Sequence, residues 1–140
     1  MSFARRWALQ VAVVARLRAA LTGMGPGGTD LDVHTAPPAE RPAVHLRVDG
    51  WAVLPRRRAG PGATADSVQS FMVHVFASAV PGTTPAAEAT RIQGLALAAL
   101  EDWQPIPGAT GVDHVSSSDA PDQNPATHHA VSRFRIHAGG

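Results

Sequence analysis

Seven histidines make His the most abundant reactive residue type in this 140-residue chain: His34, His45, His74, His114, His128, His129 and His137. A zincin-type metal site needs two His one helical turn apart with a carboxylate beside them, and no pair has that arrangement. His128 and His129 are adjacent, so on a strand their rings point to opposite faces. These rings are expected as half-buried strand residues, with no metal bound. Ser116-Ser-Ser-Asp119 beside His114 contains the types of a nucleophile and its base, the makings of a small hydrolase. It lacks the Gly-x-Ser-x-Gly elbow and any recognisable oxyanion loop, so a polar loop is expected there. The glycine runs Gly23–Gly28 and Gly60–Gly62 lack the Gly-Lys-Ser/Thr of a phosphate loop. With three Glu in the chain, paired carboxylates for acid–base work are scarce. No cysteine is present, which excludes disulfides, thiolate metal sites and cysteine nucleophiles. No catalytic residue, cofactor or metal is expected.

The sharpest charge signal is Arg56-Arg57-Arg58. On an arm it could give sequence-independent contact with phosphates, as in a small nucleic-acid-binding module. No aromatic alternates with it, so base stacking is not indicated. It could equally be a solvated arm, or dock onto an acidic face of a neighbouring subunit. Net charge is +1, so no global field favours nucleic acid or a membrane. All twelve basic residues are Arg, which with abundant Ala, Gly and Pro reads as a high-GC coding bias rather than a function.

The length fits one domain spanning 1–140. Hydrophobic residues reach 44%, but many are Ala and aromatics are 5%, so the core is expected to be thin. A thin core with 13 Gly and 12 Pro in its loops favours a subunit that gains stability from neighbours. Arg16 and Arg18 interrupt the apolar run from Val11 before it reaches signal-peptide or membrane-span length, so a soluble chain made in a cytoplasm is expected.

The elements that would position these groups follow from periodicity. Residues 3–21 read as an amphipathic helix with the stripe Trp7, Val11, Val14, Leu17 and Leu21, closed by Gly23–Gly28. Leu31 and Val33 suggest a short edge strand. Residues 43–49 alternate as a strand, and Trp51–Leu54 could continue it or begin a bulged partner. Residues 55–66 read as a flexible hairpin arm. Val68–Ala77 is the central strand, apolar on both faces and so expected to be covered on both. Thr84-Pro85 opens a helix to Glu101 with the stripe Ile92, Leu95 and Ala99, and Gly94 suggests close helix–sheet approach. Residues 111–116 are a possible strand, 117–125 a polar loop with Asp119 and Asp122, and 127–137 a final strand. The fold class is α+β: a mainly antiparallel sheet of about four or five strands, packed by an N-terminal and a central helix, with a long hairpin arm.

Taken together, four stretches give the chain a family likeness: the opening helix Trp7–Leu21, the pair Asp32-Val-His-Thr-Ala-Pro-Pro38 and Pro42-Ala-Val-His-Leu46, the arm leading into Phe71–Ala77 and its helix, and Asp119-Ala-Pro-Asp-Gln-Asn-Pro-Ala-Thr-His-His-Ala-Val-Ser-Arg-Phe-Arg-Ile136. The last resembles the family ending "Asp-Pro-Asp-Gly…Thr-His-His-Gly-Val…Phe-Arg". In this order the chain resembles the tail-completion, or tail-terminator, proteins of tailed phages and gene transfer agents. The resemblance implies a ring, usually of six copies, that caps the tail tube and joins it to the head connector while DNA passes through the hole. It implies a virion protein with the tail tube, the connector or stopper and itself as partners, no membrane, no catalysis and no cofactor. Arg56, Arg57, Arg58, Asp119 and Asp122 are the residues expected at subunit or tube contacts. A stopper or adaptor position in the same joint is the near alternative.

Overall fold

The computed structural model describes residues 3–57 and 65–139. Helix α1 (Phe3–Ala20) leads through a 3-10 turn to the short strand β1 (Asp32–His34). The long strands β2 (Val44–Arg57) and β3 (Ala65–Ala77) follow, then α2 (Pro85–Leu100), β4 (Asp113–Ala120) and β5 (His128–Gly139). The five strands form one sheet in the order β1-β2-β3-β5-β4. β1 is parallel to β2, and every other pairing is antiparallel.

α2 starts where its sequence says it should. Thr84 caps it, accepting a bond from the Ala87 N–H at 3.1 Å, and Pro85 occupies the first turn, where a missing N–H costs nothing. Glu88 is buried in that turn and pairs with Arg91, whose guanidinium also donates to the Met24 carbonyl at 2.9 Å. That bond ties α2 to the loop after α1. The apolar face of α2, with Ala89, Ile92, Ala96 and Leu100, covers β3 and β5. Opposite it stand Phe71, Val73, Val75, Phe134 and Ile136. Each large side chain sealed here contributes about 1.5–3 kcal/mol.

Four expectations need correction. On α1 the buried residues are Leu9, Val13, Val14, Leu17 and Leu21, whereas Trp7 and Val11 are 60% and 49% exposed. The helix is apolar around much of its girth, and it packs against α2 and β1, which selects the Leu9–Val13–Leu17 line. Residues 117–120 are strand rather than loop. As an edge strand wetted on both faces, β4 has no apolar alternation to betray it. Pro55–Arg57 and Ala65–Asp66, read as flexible arm, are paired strand: Arg56 lies opposite Asp66 and Arg57 opposite Ala65. Pro is tolerated there because the outer side of β2 is a sheet edge. Gly94 makes no close approach, since a Cβ there would meet nothing within 4 Å.

Trp51 does continue the preceding strand, through a bulge. Gly50 takes φ +68°, and Gly50 and Trp51 together oppose Phe71 of β3. A side chain at Gly50 would collide with Met72. The bulge puts Trp51 on the helix face, stacked on Phe71 at 4.6 Å. Phe71 stacks in turn on Phe134 at 5.4 Å, and His114 leans on Phe134 at 5.5 Å. One aromatic row thus crosses four strands.

Candidate functional site

The face of the sheet turned away from the helices holds a second row of rings. His45, Phe76 and His129 are cross-strand neighbours on β2, β3 and β5. Phe76 stacks between the two histidines, at 4.8 Å from His45 and 4.3 Å from His129. β3 was expected to be covered on both faces, and here the cover is side chains and loops rather than a helix.

A polar chain runs beside the row. Arg47 Nε donates to Asp49 Oδ2 at 2.8 Å, and Asp49 Oδ1 lies 2.7 Å from His74 Nε2. His74 Nδ1 lies 2.8 Å from His129 Nε2. A carboxylate can only accept, so His74 carries its proton on Nε2 and its Nδ1 accepts from His129 Nε2–H. Neutral His129 then has no proton left on Nδ1 for the Pro121 carbonyl, 3.4 Å away. His45 Nδ1–H donates to Pro42 O at 3.1 Å, the opposite tautomer. Burial lowers the pKa of His45, His74 and His129 below the usual 6.5. For His74 this outweighs the pull of Asp49.

Two loops close over the row. Arg41, from the loop before β2, makes a two-pronged ion pair with Asp122, from the β4–β5 loop, at 3.0 and 3.2 Å. Its guanidinium sits 4.8 Å over the Phe76 ring. The hydrogen bond from Arg41 holds the Asp122 carboxyl below its usual range. A cleft of about 410 Å³ remains between the loops, walled by Pro37, Arg41, Arg47, Gln123 and His129.

The expected contact residues are dispersed. Asp122 is in this latch. Asp119 is on β4 and accepts from His128 Nε2 at 2.9 Å. Arg56 and Arg57 are in β2 near its far end, and Arg58 lies outside the described residues. His114 Nε2 does reach a serine, Ser117, at 2.7 Å, and Ser117 Oγ lies 2.9 Å from Ser132 Oγ. That is the contact of a base and a nucleophile, but Asp119, the nearby acid, is engaged with His128 instead. Among the described residues no group of three or more His, Asp or Glu is placed to hold a metal. Among them, too, no helix is long and apolar enough to cross a membrane.

A third surface was not anticipated. Where β1 ends, a groove of about 550 Å³ opens between α1 and β2. Trp7, Val11 and Val14 form one wall, and Val48, Gly50 and Trp51 the other. The latch and the groove share a reason for having been missed. Both join residues far apart in sequence, and only the pattern His45-x-Arg47-x-Asp49 on one strand face hinted at either.

No family model matches the chain, and no curated protein matches it. Among solved structures, a chain in the virion of a native gene transfer agent particle superposes on it with a TM-score of 0.73. The match covers 99% of this chain and 100% of that one, at 21% sequence identity. At that identity the likeness establishes a common fold.

Proposed function

We propose that this chain is a structural protein of a phage-like particle, namely its tail terminator. In this reading six copies form a ring that caps the finished tail tube and joins it to the head connector, and DNA passes through the hole without sequence-specific contact. It is assembled in the bacterial cytoplasm, needs no cofactor and performs no catalysis. The observation that carries the reading is the end-to-end fold match to a chain of a gene transfer agent virion. The sequence resemblance to tail-completion proteins, carried by the order of its four stretches, supports the finer role.

Electron microscopy of particles made without this protein tests it. A terminator's loss leaves tubes without a joint and heads without tails. Normal tails attached to filled heads would overturn the proposal. Tails of normal length beside heads that lose their DNA would instead indicate the stopper position. Salt-sensitive DNA binding that disappears when Arg56, Arg57 and Arg58 become Ala would favour a nucleic-acid-binding module.

A further inference from the structure

The sheet has two unlike edges, and each is unfinished. On one side β1 pairs with β2 only from His45 to Arg47. From Val48 onward, β2 has no partner strand on that side among the described residues, and Val48, Asp49, Gly50 and Trp51 line the groove under α1. On the other side β4 is the last strand. Most of its residues are exposed, and its one large apolar side chain, Val115, is 51% exposed at a shift in the ladder. Natural sheets usually cover or break such edges.

The two edges complement each other. α1 carries four Arg and no acid, and of these Arg18 lines the groove, where Asp49 of β2 also stands. Arg5 and Arg16 turn away from the groove, onto the carbonyls of Pro107 and Ala99, while Arg18 bonds the Val33 carbonyl, which orients it without neutralising it. β4 carries Asp113 and Asp119, whose side chains are 52% and 73% exposed despite contacts with Arg135 and His128. The directions also agree. β2, β3, β5 and β4 alternate, so β4 runs antiparallel to β2. A second copy placed at the end of the sheet with the same orientation would therefore extend it by an ordinary antiparallel pair.

We infer that copies of this chain associate head to tail, with β4 of one copy added to the free edge of β2 in the next and Val115 seated in the groove lined by Trp7, Val11 and Trp51. The contact is heterologous, because it uses two different patches, and such contacts close into rings when the rotation permits. It rests on the ring proposed above and names the surface that builds it.

The chain has no cysteine, so thiol cross-linking reads this contact directly. Ala52 and Val115, both exposed, are replaced in the full chain by Cys, singly and together, and treated with a short bis-maleimide. The double variant should give a ladder extending beyond dimers, and neither single variant should. Sedimentation of Trp7→Ser and Val115→Lys, each at an exposed site the fold does not need, should show self-association weakened by at least ~tenfold. Dimers from a single variant would show a two-fold contact and overturn the inference. So would an oligomer in sedimentation without a ladder, or a monomer at every concentration. Each of these results leaves the capping role standing, because that role is judged by particles lacking the protein.

Discussion

Acid should weaken this fold well above the range where carboxylates titrate, and the buried histidines are the reason. His45 and His74 are buried, and burial lowers both pKa values from 6.5. The sign follows from linkage. Between the folded and unfolded pKa the unfolded chain binds more protons, so stability falls as pH drops below 6.5. For a histidine that stays neutral while folded, going from about pH 7.5 to about pH 5.5 costs about 1.4 kcal/mol. Two residues that stayed neutral across the whole window would set a ceiling of about 2.7 kcal/mol, against the roughly 5–15 kcal/mol by which a domain is stable. His129 acts in the same direction, and less strongly because it is only half-buried. Asp122 does not blur the result, since its depressed pKa acts below 3.8. Urea melts at the two pH values, with m constant, measure the difference. The double variant His45→Gln, His74→Gln removes both titrations, and its stability should be flatter across this window, by no more than that ceiling of about 2.7 kcal/mol. An unchanged pH dependence in that variant, or a wild-type chain that gains stability on acidification, would refute the reasoning.

Asp122→Asn should cost about 1–2 kcal/mol by removing one partner of a charge-assisted pair. It should also abolish the stability that the wild-type pair supplies above pH 3.8 and loses as pH falls through the lower folded value, read from melts in acid. Thr84→Ala should cost about 1 kcal/mol and lower Tm, because the Ala87 N–H loses its cap. Gly94→Ala should raise stability by about 0.5–1 kcal/mol, since the site is helical and open. Gly50→Ala should lower it by more than that, because φ is +68° and Met72 occupies the space, and denaturant melts of the two variants will show opposite signs.

The parts of the fold legible in the sequence are those where one residue pattern has one physical solution. Thr84-Pro85 can hardly begin anything but a helix. The alternation in residues 43–49 and 127–137 fixes which side chains meet the helices. Legibility failed where the pattern was permissive. α1 is apolar at Trp7 and Val11 as well as at Leu9 and Val13, and only the position of α2 decides between them. The polar run through Asp119 has no period to find, because an edge strand needs none. The candidate site was least visible of all. Arg41 and Asp122 meet across 81 positions, and neither is distinguished by its local neighbours.

The three tryptophans occupy three separate environments, and with no tyrosine in the chain they account for its near-ultraviolet emission. Trp51 is stacked on Phe71 against the core, Trp103 lies under the Arg16 guanidinium at 5.3 Å, and Trp7 stands at the mouth of the groove. The molecule therefore carries its own optical gauges. Trp51 reports whether the sheet is intact, and Trp103 whether the two helices remain docked. Trp7, accessible to a collisional quencher in the separate chain, goes dark to that quencher when something fills the groove, so folding and occupancy can be followed in one cuvette without a label.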